Sequence, residues 1–147
     1  MRFAVASDHA GYALKEAAKR HLVSLGHVVE DFGTGGTESC DYPDHGAAAA
    51  RAVAGGRADR GVLVCGSGQG MCMVANKVRG VRAALAWNAE IAALSRRHND
   101  ANVLCLPARF VSEADALAIV DAWLAAEFEG GRHATRIGKL VRLEREE

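Results

Sequence analysis

The chain has 147 residues, half of them apolar, and this length and composition favour one domain with a substantial core. Its 18 Lys and Arg residues balance 18 Asp and Glu residues, and neither charge gathers in a long run, which argues against a nucleic-acid-binding surface and favours a small-molecule partner. The N-terminus lacks a signal-peptide pattern and charged residues interrupt every apolar run, so we expect a soluble, cytoplasmic protein without membrane spans.

Short apolar runs alternate with helical patterns along the chain, an arrangement typical of an α/β protein with a parallel sheet. In chain order, the pattern predicts strands over 3–7, 27–32, 61–65, 82–86 and 102–106, and helices over 12–25, 44–54, 71–78, 89–97, 113–126 and 132–145. The strands are apolar on successive residues, so we expect both faces of the sheet to be covered. The last helix is basic and amphipathic, and we expect it to pack on another surface, such as a second subunit.

The ends of the predicted strands carry the residues of chemical interest, because ligands of open parallel sheets bind beyond the carboxyl ends of the strands. The segments concerned are Ser7-Asp8-His9-Ala10-Gly11, Cys65-Gly66-Ser67-Gly68-Gln69-Gly70 and Pro107-Ala108-Arg109. A further polar segment, residues 96–100, ends the helix that follows the fourth strand.

The glycine loop over 66–70 leads into a predicted helix, so its backbone N–H groups and the helix N-terminus can hold an anion or an oxyanion. It is not a dinucleotide fingerprint, because Met71 stands where the third glycine is required, and it lacks the Gly-Lys-Ser/Thr ending of a Walker loop. The alternative is a tight turn between strand and helix that binds nothing.

Cys65 stands at the last position of the third strand, directly before the glycine loop. A thiolate facing concentrated N–H groups can act as a base or a nucleophile. Ser67 can donate to a developing negative oxygen, and a donor of this kind typically lowers a barrier by about 3 kcal/mol. This pair of residues suits an enediolate intermediate.

Polar residues elsewhere have both a functional and a structural interpretation. Asp8 can cap the helix that follows it, or act with His9 on a ligand. His98 beside Asn99 can open a sugar ring by general acid–base transfer, or can simply be favoured at the C-terminus of a helix.

Three arginines are candidates for binding a phosphate group. Arg132 and Arg136 lie four residues apart on one helical face, and Arg109 follows a strand. The alternative is a solvated basic surface.

The cysteines Cys40, Cys65, Cys72 and Cys105 show no close paired spacing, so we expect reduced thiols, with Cys72 and Cys105 as small packing residues. Candidate metal ligands are not spaced as in compact zinc motifs, which disfavours a metal site.

A set of short motifs resembles one known family along essentially the whole chain. The motifs are Ser7-Asp8-His9-Ala10-Gly11, Asp41-Tyr42-Pro43, Cys65-Gly66-Ser67-Gly68-Gln69-Gly70, Ala75-Asn76-Lys77, Ser95-Arg96-Arg97-His98-Asn99-Asp100 and Gly131-Arg132-His133. They resemble the type B ribose-5-phosphate isomerases, a family that also includes allose-6-phosphate and galactose-6-phosphate isomerases. The resemblance implies a Rossmann-like α/β/α sandwich with a five-stranded parallel sheet, a homodimer with active sites at the subunit interface, and no cofactor.

The resemblance also implies a role for each candidate residue. Cys65 matches the base that moves a proton between C1 and C2, and Ser67 with the backbone of Gly66, Gly68 and Gly70 matches the loop that stabilises the enediolate. Residues matching those that bind or open the sugar ring are Asp8, His98 and Asn99, and Tyr42 matches a residue that lines the pocket. Residues matching the phosphate site are His9, Arg109, Arg132 and Arg136, and the resemblance suggests that His98, Asn99 and Arg109 come from the partner subunit.

Three positions bear on the base and on the substrate. One branch of the family has a glutamate base where this chain has Met71, which supports Cys65 as the base. Ser67 replaces the threonine of many members and keeps the hydroxyl, whereas Gln69 stands where asparagine or a small residue is more common. We therefore expect isomerisation of ribose 5-phosphate to ribulose 5-phosphate. The alternatives are another sugar phosphate with four or six carbons, or a non-catalytic phosphosugar-binding or nucleotide-binding module.

Overall fold

A five-stranded parallel sheet organises the chain in this computed structural model, which describes residues 1–146. The strands are β1 (Arg2–Ser7), β2 (Val28–Asp31), β3 (Arg60–Cys65), β4 (Ala83–Leu85) and β5 (Val103–Pro107). The helices are α1 (Tyr12–Ser24), α2 (Tyr42–Ala54), α3 (Gln69–Asn76), α4 (Ala89–Asn99), α5 (Glu113–Ala125) and α6 (Arg132–Arg145).

The strand order is β2-β1-β3-β5-β4, so β3 lies at the centre of the sheet. From β1 the chain passes outward to β2, and from β3 it passes in the opposite direction to β4. The carboxyl ends of β1 and β3 therefore flank a topological switch point, where open α/β sheets bind their ligands.

The two faces of the sheet carry two separate apolar cores, and this confirms the predicted three-layer architecture. Alternate strand residues such as Phe3, Val62 and Leu104 pack with α1, α4 and α5 around the buried Trp123. The intervening strand residues pack with α2 and α3 around Met71. Because successive side chains of a strand point to opposite faces, burial on both sides requires the unbroken apolar runs seen in the sequence.

Two helices begin two residues earlier than the sequence pattern predicts. In α2 the difference follows from Asp41, whose extended backbone makes it the N-cap, and from Pro43 in the first turn. In α3 it follows from Gly68, whose left-handed φ of 74° lets the chain turn directly from the loop into the helix. The predicted cap of α5 is confirmed, because the Ser112 hydroxyl accepts a hydrogen bond from the N–H of Asp115 at 3.1 Å.

Helix α6 lies at the periphery of the chain. His133 in its first turn is buried, whereas Leu140 and Leu143 are exposed. Near its end, the Glu144 carboxylate accepts hydrogen bonds from the N–H of Gly80 at 3.2 and 3.3 Å. Within residues 1–146, none of the helices combines the length and apolar character needed to cross a membrane.

Candidate active site

A cleft of about 570 Å³ opens at the carboxyl ends of β1, β3 and β5. Eight of the residues singled out in the sequence line it, and these are Asp8, His9, Tyr42, Cys65, Gly66, Ser67, Gly70 and Arg109. Met73 and Phe110, which the sequence analysis did not single out, form part of its apolar wall. The structure thus brings the thiol, the glycine loop, a histidine and an arginine together in one chain.

Cys65 ends the central strand, and its side chain is 4% exposed. Its carbonyl accepts a hydrogen bond from the N–H of Ala108, and the Gly66 carbonyl accepts one from the N–H of Arg109, both at 2.9 Å. These bonds continue the pairing of β3 with β5 past the ends of the strands, so the backbone carrying the thiol is held on a rigid element.

The glycine loop is shaped by close packing as well as by its turn. A Cβ atom at Gly68 would lie 2.4 Å from Cδ1 of Leu85, and one at Gly70 would lie 2.7 Å from the Tyr42 ring. The Ser67 hydroxyl sits at the bend, 3.4 Å from the N–H of Gln69. Gly68 does not itself line the cleft but sets the path by which Ser67 and Gly70 reach it.

Asp8 is buried at the end of β1, and its Oδ1 accepts a hydrogen bond from the N–H of Gly11 at 2.9 Å. The carboxylate therefore holds the turn before α1, in partial agreement with the capping interpretation, while it also lines the cleft. Gly11 lies so close to β3 that a Cβ atom there would approach the Val64 carbonyl oxygen to 2.6 Å.

His9 is oriented by the segment that precedes α2. Its Nδ1 accepts a hydrogen bond from the backbone N–H of Cys40 at 3.3 Å. An accepting Nδ1 leaves the proton of the neutral imidazole on Nε2, so Nε2 is the nitrogen available to donate to a ligand.

Arg109 lies in the cleft of its own chain, with its guanidinium against Gly66. A Cβ atom at Gly66 would lie 3.1 Å from Nη1 of Arg109, so the missing side chain leaves room for the guanidinium. This placement corrects the expectation that Arg109 reaches the site from a partner subunit. The physical reason is the register of β5, whose following turn lies directly beside the glycine loop.

His98 and Asn99 lie at the amino ends of the strands, opposite the carboxyl ends where the cleft opens. Helix α4 runs back toward the start of β5, so its last residues lie near the amino ends of the strands: the Asn99 carbonyl accepts a hydrogen bond from Nε of Arg82 at 3.0 Å, just before β4. The Asn102 carbonyl accepts one from Gly61 at the start of β3. Strand β3, six residues long, separates these amino ends from Cys65 by about 17 Å.

The start of α6 lies beside the end of α4. The N–H of Glu129 donates to the Arg97 carbonyl at 3.0 Å, and the His133 ring stacks on the His98 ring with centroids 4.3 Å apart. Arg132 and Arg136 are exposed on α6, whose first turn carries His133. Among residues 1–146, those that line the cleft include none from α4 or α6.

Glu129 and His133 form a cluster with His98 that the sequence analysis missed. The Glu129 carboxylate oxygen lies 3.3 Å from Nε2 of His98 and 3.7 Å from Nε2 of His133. Desolvation, together with the positive charges of His98, Arg132 and Arg136, lowers the pKa of His133. The four-residue spacing of Glu129 and His133 was visible in the sequence, but the proximity to His98 depends on tertiary packing.

All four cysteines are free thiols. Cys72 of α3 is half-buried, and its hydrogen bond with the fully buried Cys105 lowers the pKa of Cys72 to about 7. The same contact, together with burial, raises the pKa of Cys105. Cys105 fits the predicted packing role, and Cys72 also packs against this core while its thiol stays partly exposed.

A family model described as Ribose/Galactose Isomerase matches residues 3–140. The chain belongs to this family. The ribose-5-phosphate isomerase B of Escherichia coli strain K12 is 45% identical over 143 residues, which cover 97% of this chain and 96% of that protein. The fold prediction is confirmed by the structure of a Clostridium thermocellum ribose-5-phosphate isomerase B, with a TM-score of 0.98, 51% identity and 99% coverage of both chains.

A second family structure carries a ligand. The ribose-5-phosphate isomerase B from Mycoplasma genitalium, solved with bound ribulose-5-phosphate, has a TM-score of 0.96 and 45% identity, and the match covers 99% of this chain and 97% of that one. The similarity to this family therefore includes the residues of the cleft and those at the amino ends of the strands.

Proposed function

We propose that this chain interconverts D-ribose 5-phosphate and D-ribulose 5-phosphate, with Cys65 as the base that moves a proton between C1 and C2. The observation that carries the proposal is the cleft itself, where the Cys65 thiol, the Ser67 hydroxyl and the glycine loop meet His9 and Arg109. The names of the E. coli and M. genitalium relatives support the same substrate pair.

The proton transfer needs a base and a site for developing negative charge. The Cys65 thiolate removes the proton from C2 of the open-chain aldose, and the electrons move into an enediolate whose negative oxygen the loop N–H groups and Ser67 stabilise. A proton also moves from O2 to O1 of the enediolate, because O2 becomes the ketone oxygen and O1 becomes the hydroxyl of the product. The thiol then returns its proton to C1, which gives the ketose and regenerates the thiolate.

The phosphate and the sugar ring need further groups. His9, through Nε2–H, and Arg109 offer donors from the chain that carries the thiol. Asp8 and Tyr42 line the same cleft. We assign His98 to ring opening, Asn99 to a sugar hydroxyl, and Arg132 with Arg136 to the phosphate, all from a second copy of the chain.

The separation of these groups supports our proposal of a homodimer with shared sites. His98 lies about a full strand length from the Cys65 of its own chain, too far for both to act on one sugar. Large apolar side chains also surround the cleft, among them Phe110 at 74% exposure and Trp87 at 54%. A second copy that brings its α4 and α6 to this edge would cover them.

The reaction requires a reduced thiol. Because all four cysteines are free, we propose that the protein works in a reducing compartment such as the cytoplasm.

Substitution of the base tests the proposal directly. We expect Cys65→Ala to lower kcat by about 10²–10⁴-fold, the range typical of a general base, while circular dichroism and phosphosugar binding are retained. Cys72→Ala is the matched control, because it removes a partly exposed thiol that does not line the cleft, and it should keep near-wild-type turnover. Near-wild-type turnover of the Cys65 variant would show that the base lies elsewhere.

Another sugar phosphate is the second candidate substrate. Gln69 and Ser67 line a side recess of about 360 Å³ together with Leu85, Trp87 and Phe110, and this recess adjoins the reacting centre. The kcat/KM values measured for aldose phosphates with four, five and six carbons would rank the candidate substrates. A non-catalytic binding module would bind these sugars without exchanging the C2 proton with solvent.

A further inference from the structure

A cluster of three metal-ligating side chains lies outside the cleft, between the end of α4 and the start of α6. The Nε2 atoms of His98 and His133 face the same carboxylate oxygen of Glu129 at 3.3 and 3.7 Å, and the three candidate ligand atoms all lie within 4.8 Å of one another. Two ligand atoms bound about 2.0–2.1 Å from a tetrahedral zinc ion are about 3.4 Å apart. We propose that His98, Glu129 and His133 form a binding site for a divalent transition-metal ion such as Zn²⁺.

The backbone holds the three ligands in place. The N–H of Glu129 donates to the Arg97 carbonyl at 3.0 Å, which joins the segment before α6 to the last turn of α4. The N–H of His133 donates to the Gly130 carbonyl at 3.1 Å, and the His133 side chain is 11% exposed. The backbones that carry the ligands are therefore already packed together. Because a metal ion lies in the plane of each imidazole that binds it, binding requires the more exposed His98 ring to rotate out of its stack on His133.

The site is open to solvent in the single chain, where the side chains of His98 and Glu129 are 39% and 51% exposed. In the proposed dimer His98 faces the partner's cleft, so an ion enters through the space that the substrate occupies and can keep a water molecule as a fourth ligand. Two imidazoles and one carboxylate are a ligand set that zinc uses in proteins.

The surroundings decide which cations can bind. Arg132 and Arg136 on the same helix repel every cation, so an ion that binds mainly through its charge is disfavoured. Zn²⁺, Co²⁺ and Cu²⁺ form strong bonds to imidazole nitrogen, whereas Mg²⁺ and Ca²⁺ prefer oxygen ligands. The site therefore selects transition metals over Mg²⁺ and Ca²⁺.

Metal binding has a consequence that rests on the proposed function. An ion on Nε2 of His98 withholds this nitrogen from the sugar ring, so Zn²⁺ inhibits the conversion of ribose 5-phosphate. Ribulose 5-phosphate has its C5 oxygen esterified and is an open-chain ketose, so its enolisation by Cys65 needs no ring opening. Zn²⁺ at this site is expected to slow the aldose reaction more than the exchange of the C1 proton of the ketose.

Cobalt(II) is a suitable probe because its visible absorption reports bound ligands, and binding is measured without any substrate. We expect a single Co²⁺ ion per chain, displaced by Zn²⁺, with no thiolate-to-cobalt charge-transfer band. His133→Asn should weaken binding at least about tenfold, since even second-shell changes cost 10–100-fold in affinity. The matched control is His21→Asn, which removes a histidine paired with Asp121 at 2.6 Å but lacking a third ligand, and it should bind Co²⁺ as the wild type does.

A second variant tests whether weaker binding comes from a lost ligand or from a disturbed fold. Glu129→Gln keeps the size of an exposed side chain and should also weaken Co²⁺ binding. Thermal unfolding checks that both variants are folded. Absence of Co²⁺ binding, unchanged binding in both variants, or a thiolate band abolished by Cys72→Ala or Cys65→Ala would overturn the metal site. These outcomes leave the isomerase proposal intact, and loss of the isomerase proposal leaves the binding result intact.

Discussion

Gly68 shapes the loop beside the cleft because it has no side chain. Its φ of 74° lies in the left-handed region, and the space where a side chain would stand is filled by Leu85 and by the backbone of Leu106 and Pro107. The turn that brings Ser67 to the cleft therefore depends on a residue that does not itself line the cleft.

Gly68→Ala should destabilise the fold by about 2–5 kcal/mol, the sum of a left-handed backbone penalty and overpacking against Leu85. Gly26→Ala is the matched control, because Gly26 has a φ of 90° but no atom within 4 Å of the added carbon. It should cost only about 1 kcal/mol. Urea denaturation compares the two variants, and equal losses would contradict a steric role for Leu85.

At the scale of elements, a partly buried ion pair connects α1 to β2 and to the segment that holds His9. Lys15 is 1% exposed within α1, and its ammonium donates to Asp31 at 2.9 Å and to the Thr34 carbonyl. The segment that begins at Thr34 leads to Cys40, whose N–H binds His9. The orientation of a cleft residue thus depends on an ion pair on another element.

This ion pair predicts a pH dependence of stability. Burial acts to raise the pKa of Asp31, but hydrogen bonds from Lys15, Lys19 and the N–H of Gly33 outweigh it, and the pKa is lowered. A carboxyl with a lower pKa in the folded state stabilises the fold above its unfolded pKa of about 3.9, and this contribution is lost as pH falls through the folded value.

The difference in free energy of unfolding between wild type and Asp31→Asn should be constant above about pH 5 and shrink below about pH 4. Denaturant titrations over this range measure it. A difference that stays the same down to pH 2 would show that Asp31 does not carry the effect.

At the scale of the whole molecule, the two ends of the parallel strands carry complementary halves of the proposed site. The thiol and Arg109 lie at the carboxyl ends, and His98 with the α6 arginines lies at the amino ends. In a dimer with a twofold axis, a contact from one copy to the second is repeated from the second copy to the first. If the cleft of one copy contacts α4 and α6 of the other, the dimer therefore has two complete sites.

Mixing two inactive variants tests this arrangement. Random exchange between Cys65→Ala and His98→Asn chains makes half of the dimers mixed, and each mixed dimer has one intact site, so activity should recover to about a quarter of the wild-type value. Light scattering would confirm the dimer in each preparation. No recovery after subunit exchange would place both residues in the same chain's site.

The layers of the fold could be predicted from the sequence, because unbroken apolar strands and amphipathic helices are local patterns. The residues at the strand ends could be predicted for the same reason, since Asp8 follows β1, Cys65 ends β3 and Arg109 lies two residues beyond β5. The assignment of Arg109 to a partner subunit was wrong, because the register between β3 and β5 is not a local property. Glu129 was missed because its contact with His98 joins residues 31 positions apart.

The separation of Cys65 from His98 also has a consequence for kinetics. In the proposed dimer a lone chain holds no complete site, so the rate per chain should fall on dilution, and the total rate should approach a second-order dependence on protein concentration. Substrate that bridges both copies would oppose this loss by mass action. The protein concentration at which the enzyme is active then depends on how tightly its two copies associate, as well as on how tightly they bind the sugar phosphate.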